Sequence, residues 1–212
     1  KDREGRPLAV LQKVYRYGAE AANLGLRVAP VAPEIRAELV QTLVLSDDRM
    51  VLAADLTAAI TRAGVFKLTV ELPEGLEVEA ATGPALGHWT ESRDGETRLL
   101  TLHLKGQTLG EQKFSISLAG PSPGSQDSWS VPRLALRDAA RQRGTLTVAP
   151  ERGLQVRAVS RTNVSQLDPS EAGVPRPGAL AFKLLQADWE LALAVQQLDP
   201  WVTAQVLQQV TL

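Results

Sequence analysis

The chain has 212 residues, 44% of them apolar and 22% charged, with a formal net charge of -1. That composition belongs to a globular protein with a substantial core, and the balanced charge leaves no footprint for nucleic acid or anionic lipid. Cysteine is absent, which excludes thiolate catalysis, disulfide scaffolds and cysteine-based zinc sites; no apolar run approaches a membrane span, so no direct membrane insertion is expected.

The first informative stretch runs from Leu24 to Leu45, because it is written again at the end of the chain. Leu24-Gly-Leu-Arg-Val28 and Pro33 to Leu45 line up with Leu191-Ala-Leu-Ala-Val195 and Pro200 to Leu212 at a constant offset of 167, with seven identities over the twenty-two positions from Leu24 to Leu45. Tyr15-Arg16 matches Phe182-Lys183 at the same offset. Such self-similarity reads as a tandem array. Because the chain starts on Lys1 and stops inside the second copy, it is expected to be a slice of a longer protein. Pro33 to Leu43 offers Pro at a possible first helical position, but the second copy is richer in Val and Thr, which favour strands. Both copies share a period of two: Ile35, Ala37, Leu39, Leu43 and Leu45 match Val202, Ala204, Val206, Val210 and Leu212, with Gln41 and Gln208 interrupting the apolar face. A strand satisfies both copies.

Ser46-Asp-Asp-Arg49 suits a hairpin turn. Residues 55–63 fit a short helix or a strand with Leu56, Ala58 and Ile60 on one face; the strand is favoured because it would pair back across that turn. Phe66, Leu68, Val70 and Leu72 then alternate with Lys67, Thr69 and Glu71. Pro73-Glu-Gly75 reads as a turn, Leu76 and Val78 as a short strand, and Asp94-Gly95 as a strong hairpin signal. Leu100, Leu102 and Leu104 continue the alternation, as do Phe114, Ile116 and Leu118. Gly120 to Ser128 has the composition of a linker. Leu134 to Arg143 is a candidate short helix. Leu146-Thr-Val148 and Leu154-Gln-Val156 read as strands, with Glu151-Arg-Gly153 expected to close them into a pair. The Asp168–Gly178 stretch, with three prolines, is expected to lie over the surface.

Half-buried alternation of this kind belongs to antiparallel sheets with one wet face. The expected fold is all-β: antiparallel β-sandwich units in tandem, with at most one or two short helices. The expected organisation is a β-sandwich unit over 1–119, a linker over 120–128 and a second β unit over 129–212, in which 181–212 repeats the strands of 14–45.

Candidate sites are few. Gly120-Pro-Ser122-Pro-Gly124 fits the Gly-x-Ser-x-Gly pattern of a nucleophile elbow, but the oxyanion hole needs an N–H on the residue after the serine, and Pro123 has none. Of the two histidines, His103 sits on the polar side of a strand. His88 precedes Trp89 and would be part of a ligand platform beside it. Asp47-Asp48 fits a tight turn better than a calcium loop, whose further oxygen ligands are missing. Arg133, Arg137, Arg141, Arg143, Arg152 and Arg157 crowd one region but are diluted by Asp138 and Glu151, which suits a solvated face. Trp89, Trp129, Trp189 and Trp201 complete the set. Trp189 and Trp201 flank the repeated strand and have no aromatic counterpart at Ala22 and Glu34, so packing between modules or a sugar platform is expected of them. The ligand-binding candidates are therefore His88, Trp89 and Trp201; no catalytic residue, metal ligand or cofactor is expected.

Tyr15-Arg-Tyr17, Leu24 to Leu45 and Ala63-Gly-Val-Phe-Lys-Leu-Thr-Val-Glu-Leu-Pro-Glu-Gly75 resemble the modular β-sandwich regions of large bacterial envelope and surface proteins. The resemblance implies an extracytoplasmic module without catalytic residues to carry across. The expected function is a non-catalytic structural or adhesive module, its partners the adjacent modules of the same polypeptide, a glycan or another surface protein, with no nucleic acid. The alternative is a carbohydrate-binding or accessory module of a larger secreted enzyme, using Trp89 or Trp201.

Overall fold

The computed structural model describes Gly25, Arg27, residues 29–170 and 177–198, and Gln208. The chain divides into two compact units, Lys1–Pro30 and Val31–Leu212; the second contains every strand described below. Its strands are β1 (Glu34–Leu45), β2 (Arg49–Leu72), β3 (Glu77–Thr82), β4 (Leu86–Asp94), β5 (Thr97–Pro121) and β6 (Gln126–Ser130). They are followed by β7 (Ala135–Leu136), β8 (Ala139–Pro150), β9 (Leu154–Thr162), β10 (Val164–Leu167), β11 (Leu180–Leu184) and β12 (Glu190–Gln197). The all-β class is therefore found, and every regular element among the described residues is a strand.

Alternation builds the centre of the large sheet. On β1, Ile35, Ala37, Leu39, Leu43 and Leu45 are buried while Arg36, Glu38 and Val40 face water. Ser46 closes the β1–β2 hairpin by donating from both its N–H and its Oγ to the Arg49 carbonyl, at 2.9 and 2.8 Å. Register then runs unbroken from Leu45 opposite Met50 to Glu34 opposite Thr61, which puts Leu52, Ala54, Leu56, Ala58 and Ile60 on the same inner face. Beyond Ile60 the ladder between β2 and β5 slips twice before Lys67, and Arg62 takes a positive φ of 69° there. Leu68, Val70 and Leu72 beyond the slip are buried, but Phe66 within it, expected on their face, is 63% exposed.

The strands lie in the order β10-β11-β8-β1-β2-β5-β3, with β4 on the free half of β5 and β7 on the end of β2. A second sheet has the order β6-β12-β9. Its inward residues Leu154, Val156, Leu191, Leu193 and Val195 join those of the large sheet in one hydrophobic cluster. All pairings are antiparallel except β1 with β8, which run parallel.

Several expectations are corrected by this topology. Residues 120–128, expected as a linker, include strand ends: Gly120 and Pro121 still pair with Met50 and Arg49 and β6 begins at Gln126, so residues 122–125 carry the chain from the large sheet to the small one. Of the strands that follow, β6, β9 and β12 form the small sheet, whereas β8 lies against β1 and carries β11 and β10 with it. Leu134 to Arg143 is not a helix but β7, a turn and the start of β8, with Asp138 in the left-handed region at φ 63°. Glu151-Arg-Gly153 does turn, with Gly153 at φ 94°, but β8 and β9 do not pair; the chain passes there from the large sheet to the small one. Trp189 is neither a platform nor a packing face between modules: it is 1% exposed and heads the largest side chains of the core. Of the repeated segments, residues 35–45 form a strand, whereas 202–207 and 209–212 lie outside the described residues.

Two buried glutamines show opposite solutions to the same problem. Gln142 receives an N–H bond from Leu136 at 2.7 Å and donates to the Leu134 carbonyl at 3.0 Å, clamping the turn before β8. Gln41 is 1% exposed, and neither its Nε2 nor its Oε1 has a hydrogen-bond partner. It sits in a row between Leu146 of β8 and Ala54 of β2. A buried amide without partners costs its full desolvation. Gln41→Met, which keeps an unbranched chain of similar length, is expected to stabilise the fold by about 1–2 kcal/mol in urea denaturation. A lower midpoint would mean that the amide is satisfied in solution.

Candidate functional site

Two places bring together residues with chemistry. The first is the β4–β5 hairpin. Gly95 at φ 62° opens the two-residue Gly95-Glu96 loop, the position at which a type II′ turn requires glycine. From that loop the ladder sets Thr90 opposite Thr101, Trp89 opposite Leu102 and His88 opposite His103. The two imidazoles stack, with ring centroids 4.4 Å apart and planes 6° from parallel. His103 Nε2 also shares a hydrogen bond with the Thr90 hydroxyl at 3.0 Å.

Trp89 takes the other face. Successive strand residues point to opposite sides, so His88 is exposed while Trp89 is half-buried and packs on the core. Both border a shallow groove of about 470 Å³ along the open edge of β4. The pleat turns the two side chains to opposite faces of β4, and both reach the groove at its edge. Trp201 lies outside the described residues.

The second place is a cleft of about 470 Å³ where the end of β2, the start of β5 and the chain after β6 meet. Trp129, half-buried on β6 opposite Leu193 of β12, forms part of its wall. Glu71, Glu74, Glu96, Arg98 and Arg133 line it too. Most of these charges are already engaged. Arg98 donates to the carbonyls of Leu76 and Pro73 at 2.6 and 3.2 Å, and to Glu91 at 3.0 Å. Glu74 accepts from Arg93 at 3.2 Å and Glu71 from Arg137 at 3.3 Å. Arg137 also donates to Asp94 at 2.7 Å. Hydrogen bonds to Asp94 first and then Glu71 hold its guanidinium above the ordinary arginine range.

An aromatic wall with carboxylates and guanidinium groups around it can stack on, and hydrogen-bond to, a polyol. As acid–base machinery it is poorly arranged, because Glu71 and Glu74 act as acceptors for Arg137 and Arg93. Only the count of tryptophans pointed toward this cleft; its residues come from four segments of the sequence, so no spacing reveals it. The other motifs have structural placements. Ser122 N–H donates to the Asp48 carbonyl at 3.1 Å, tying the Gly-x-Ser-x-Gly loop to the first hairpin turn. Asp168 accepts from the Ser170 N–H and hydroxyl at 2.8 and 2.6 Å, and these bonds hold its carboxyl below the usual range. The arginines between 133 and 157 are spread from the chain after β6 through β8 to β9, Arg143 reaching Glu38 at 3.5 Å.

No family model matches the chain, and no curated protein matches it. Among solved structures it is similar to an M1 zinc metallopeptidase from Deinococcus radiodurans, at 13% identity and a TM-score of 0.45 over 76% of this chain and 42% of that one. A mutant of the same peptidase bound to a Tyr-Ser-Ala substrate gives 13% identity and a TM-score of 0.47 over the same shares. Yeast LTA4 hydrolase gives 8% and 0.45 over 77% of this chain and 28% of that one. The chain thus spans less than half the length of these proteins. At such identities and TM-scores the likeness assigns neither fold nor activity.

Proposed function

We propose that this chain is a non-catalytic β module of a larger extracytoplasmic protein, acting as a spacer or adhesive element toward neighbouring modules of the same polypeptide. One observation carries the reading: the charged side chains at the Trp129 cleft bind one another instead of converging on a common point. Arg98 to Glu91, Arg93 to Glu74, and Arg137 to Glu71 and Asp94 are such pairs. Exposed pairs of this kind add little stability individually, but they hold the polar ends of β2, β4 and β5 in register.

A second reading, a carbohydrate-binding module, is favoured by Trp129 in the wall of that cleft. A glycan array probed with the unsubstituted chain, Trp129→Ala and Trp89→Ala separates the two. The spacer reading expects no binding above background. Binding that falls roughly tenfold in Trp129→Ala, about what loss of one stacking ring costs, and holds in Trp89→Ala would replace it with the second. Turnover of a peptide or glycoside by the chain would overturn both.

A further inference from the structure

We propose that His88 and His103 form a two-imidazole chelate for a divalent transition ion, Cu²⁺ in preference to Ni²⁺ and Zn²⁺. They are the only histidines among the 212 residues, and the pairing of β4 with β5 sets them directly opposite each other. Side chains so placed have Cβ atoms about 4.5–5.5 Å apart. The rings already face each other, 4.4 Å between centroids and 6° from parallel. Small rotations about their side-chain bonds bring one nitrogen of each ring to a shared ion at the ~2.0–2.1 Å of an imidazole–metal bond.

The β ladder holds both ligands on one rigid surface, so the second bond forms intramolecularly and the pair binds far more tightly than either ring alone. Imidazole nitrogen suits Cu, Ni and Zn, and affinity for such sites peaks at Cu²⁺. His88 is exposed, so water fills the remaining coordination positions. The Thr90 hydroxyl, 3.0 Å from His103 Nε2, gives up its hydrogen bond when that nitrogen takes the metal. No group of three His, Asp or Glu residues gathers anywhere among the described residues, so the protein ligands are the two imidazoles alone. Lys67 of β2 stands opposite His103 on its other side. Its exposed ammonium works against a bound cation and sets the affinity below that of an uncharged neighbour.

The consequence is mechanical. β4 is bonded on one side only, to β5, and an ion bridging His88 and His103 pins this edge strand to its neighbour. The test is a Cu²⁺ titration of the whole 212-residue chain, free of any histidine tag, followed by calorimetry and electron paramagnetic resonance. One ion per chain is expected, with hyperfine coupling to two imidazole nitrogens and a rise in Tm. His88→Ala and His103→Ala should each weaken binding by roughly 100-fold and abolish that rise, while unfolding like the unsubstituted chain when metal is absent. Lys67→Met should tighten binding. Coupling to one nitrogen, a measurement on the unsubstituted chain that needs no variant, would overturn the proposal. So would wild-type affinity in either histidine variant.

Discussion

Gly144→Ala is expected to destabilise the fold by about 3 kcal/mol or more, and to abolish cooperative unfolding if the strands cannot separate to admit the methyl group. Gly144 lies opposite Leu39 in the parallel β8–β1 pair. A Cβ there would fall 1.9 Å from the Leu39 carbonyl oxygen, 2.8 Å from its carbon and 3.0 Å from its nitrogen. All three are backbone atoms of the strand that β2 holds from its other side, so no side-chain rotation relieves the clash. The glycine is required by a close approach of two backbones, since its φ is not among the positive ones. Urea denaturation of both proteins checks this. An unchanged midpoint would mean that β1 and β8 are farther apart than described.

Trp189→Ala is expected to cost about 3–5 kcal/mol, the price of the lost transfer energy plus a cavity. Trp189 is the bulkiest of the fully buried side chains. It stands just ahead of β12, in the cluster that both sheets share, so its loss loosens the small sheet's seat on the large one. Its indole Nε1 has no hydrogen-bond partner. Trp189→Phe therefore removes an unmet donor together with some volume, and its loss should be near 1 kcal/mol. Denaturation midpoints of the pair decide the point: equal losses for Ala and Phe would mean that the indole N–H, not the ring's bulk, carries the effect.

Individual residues show how far the sequence could be read. Alternation at Ile35 to Leu45, at Phe114 to Leu118 and at Leu191 to Val195 identified strands and their inner faces, because a strand buried on one side needs apolar side chains at every second position. Turn chemistry was equally direct at Ser46–Arg49 and Asp94-Gly95. The same rule failed at Phe66, where the slipped β2–β5 ladder turns an apolar residue outward. It failed again at Leu134 to Arg143, whose apolar spacing suits a helix but whose Leu134 and Leu136 are anchored by the Gln142 side chain. The candidate sites were less legible. His88 and His103 were visible as residues, but only the register of β4 on β5 makes them a pair.

The amino-acid sequence by itself determined the all-β class, most of the strands and the face that each one buries, since these follow from local periodicity and turn residues. The tertiary structure alone decided which strands are neighbours. The parallel seating of β8 on β1 and the passage from β8 to a second sheet are long-range choices. Period two records that a face is covered; it carries no information about which segment covers it.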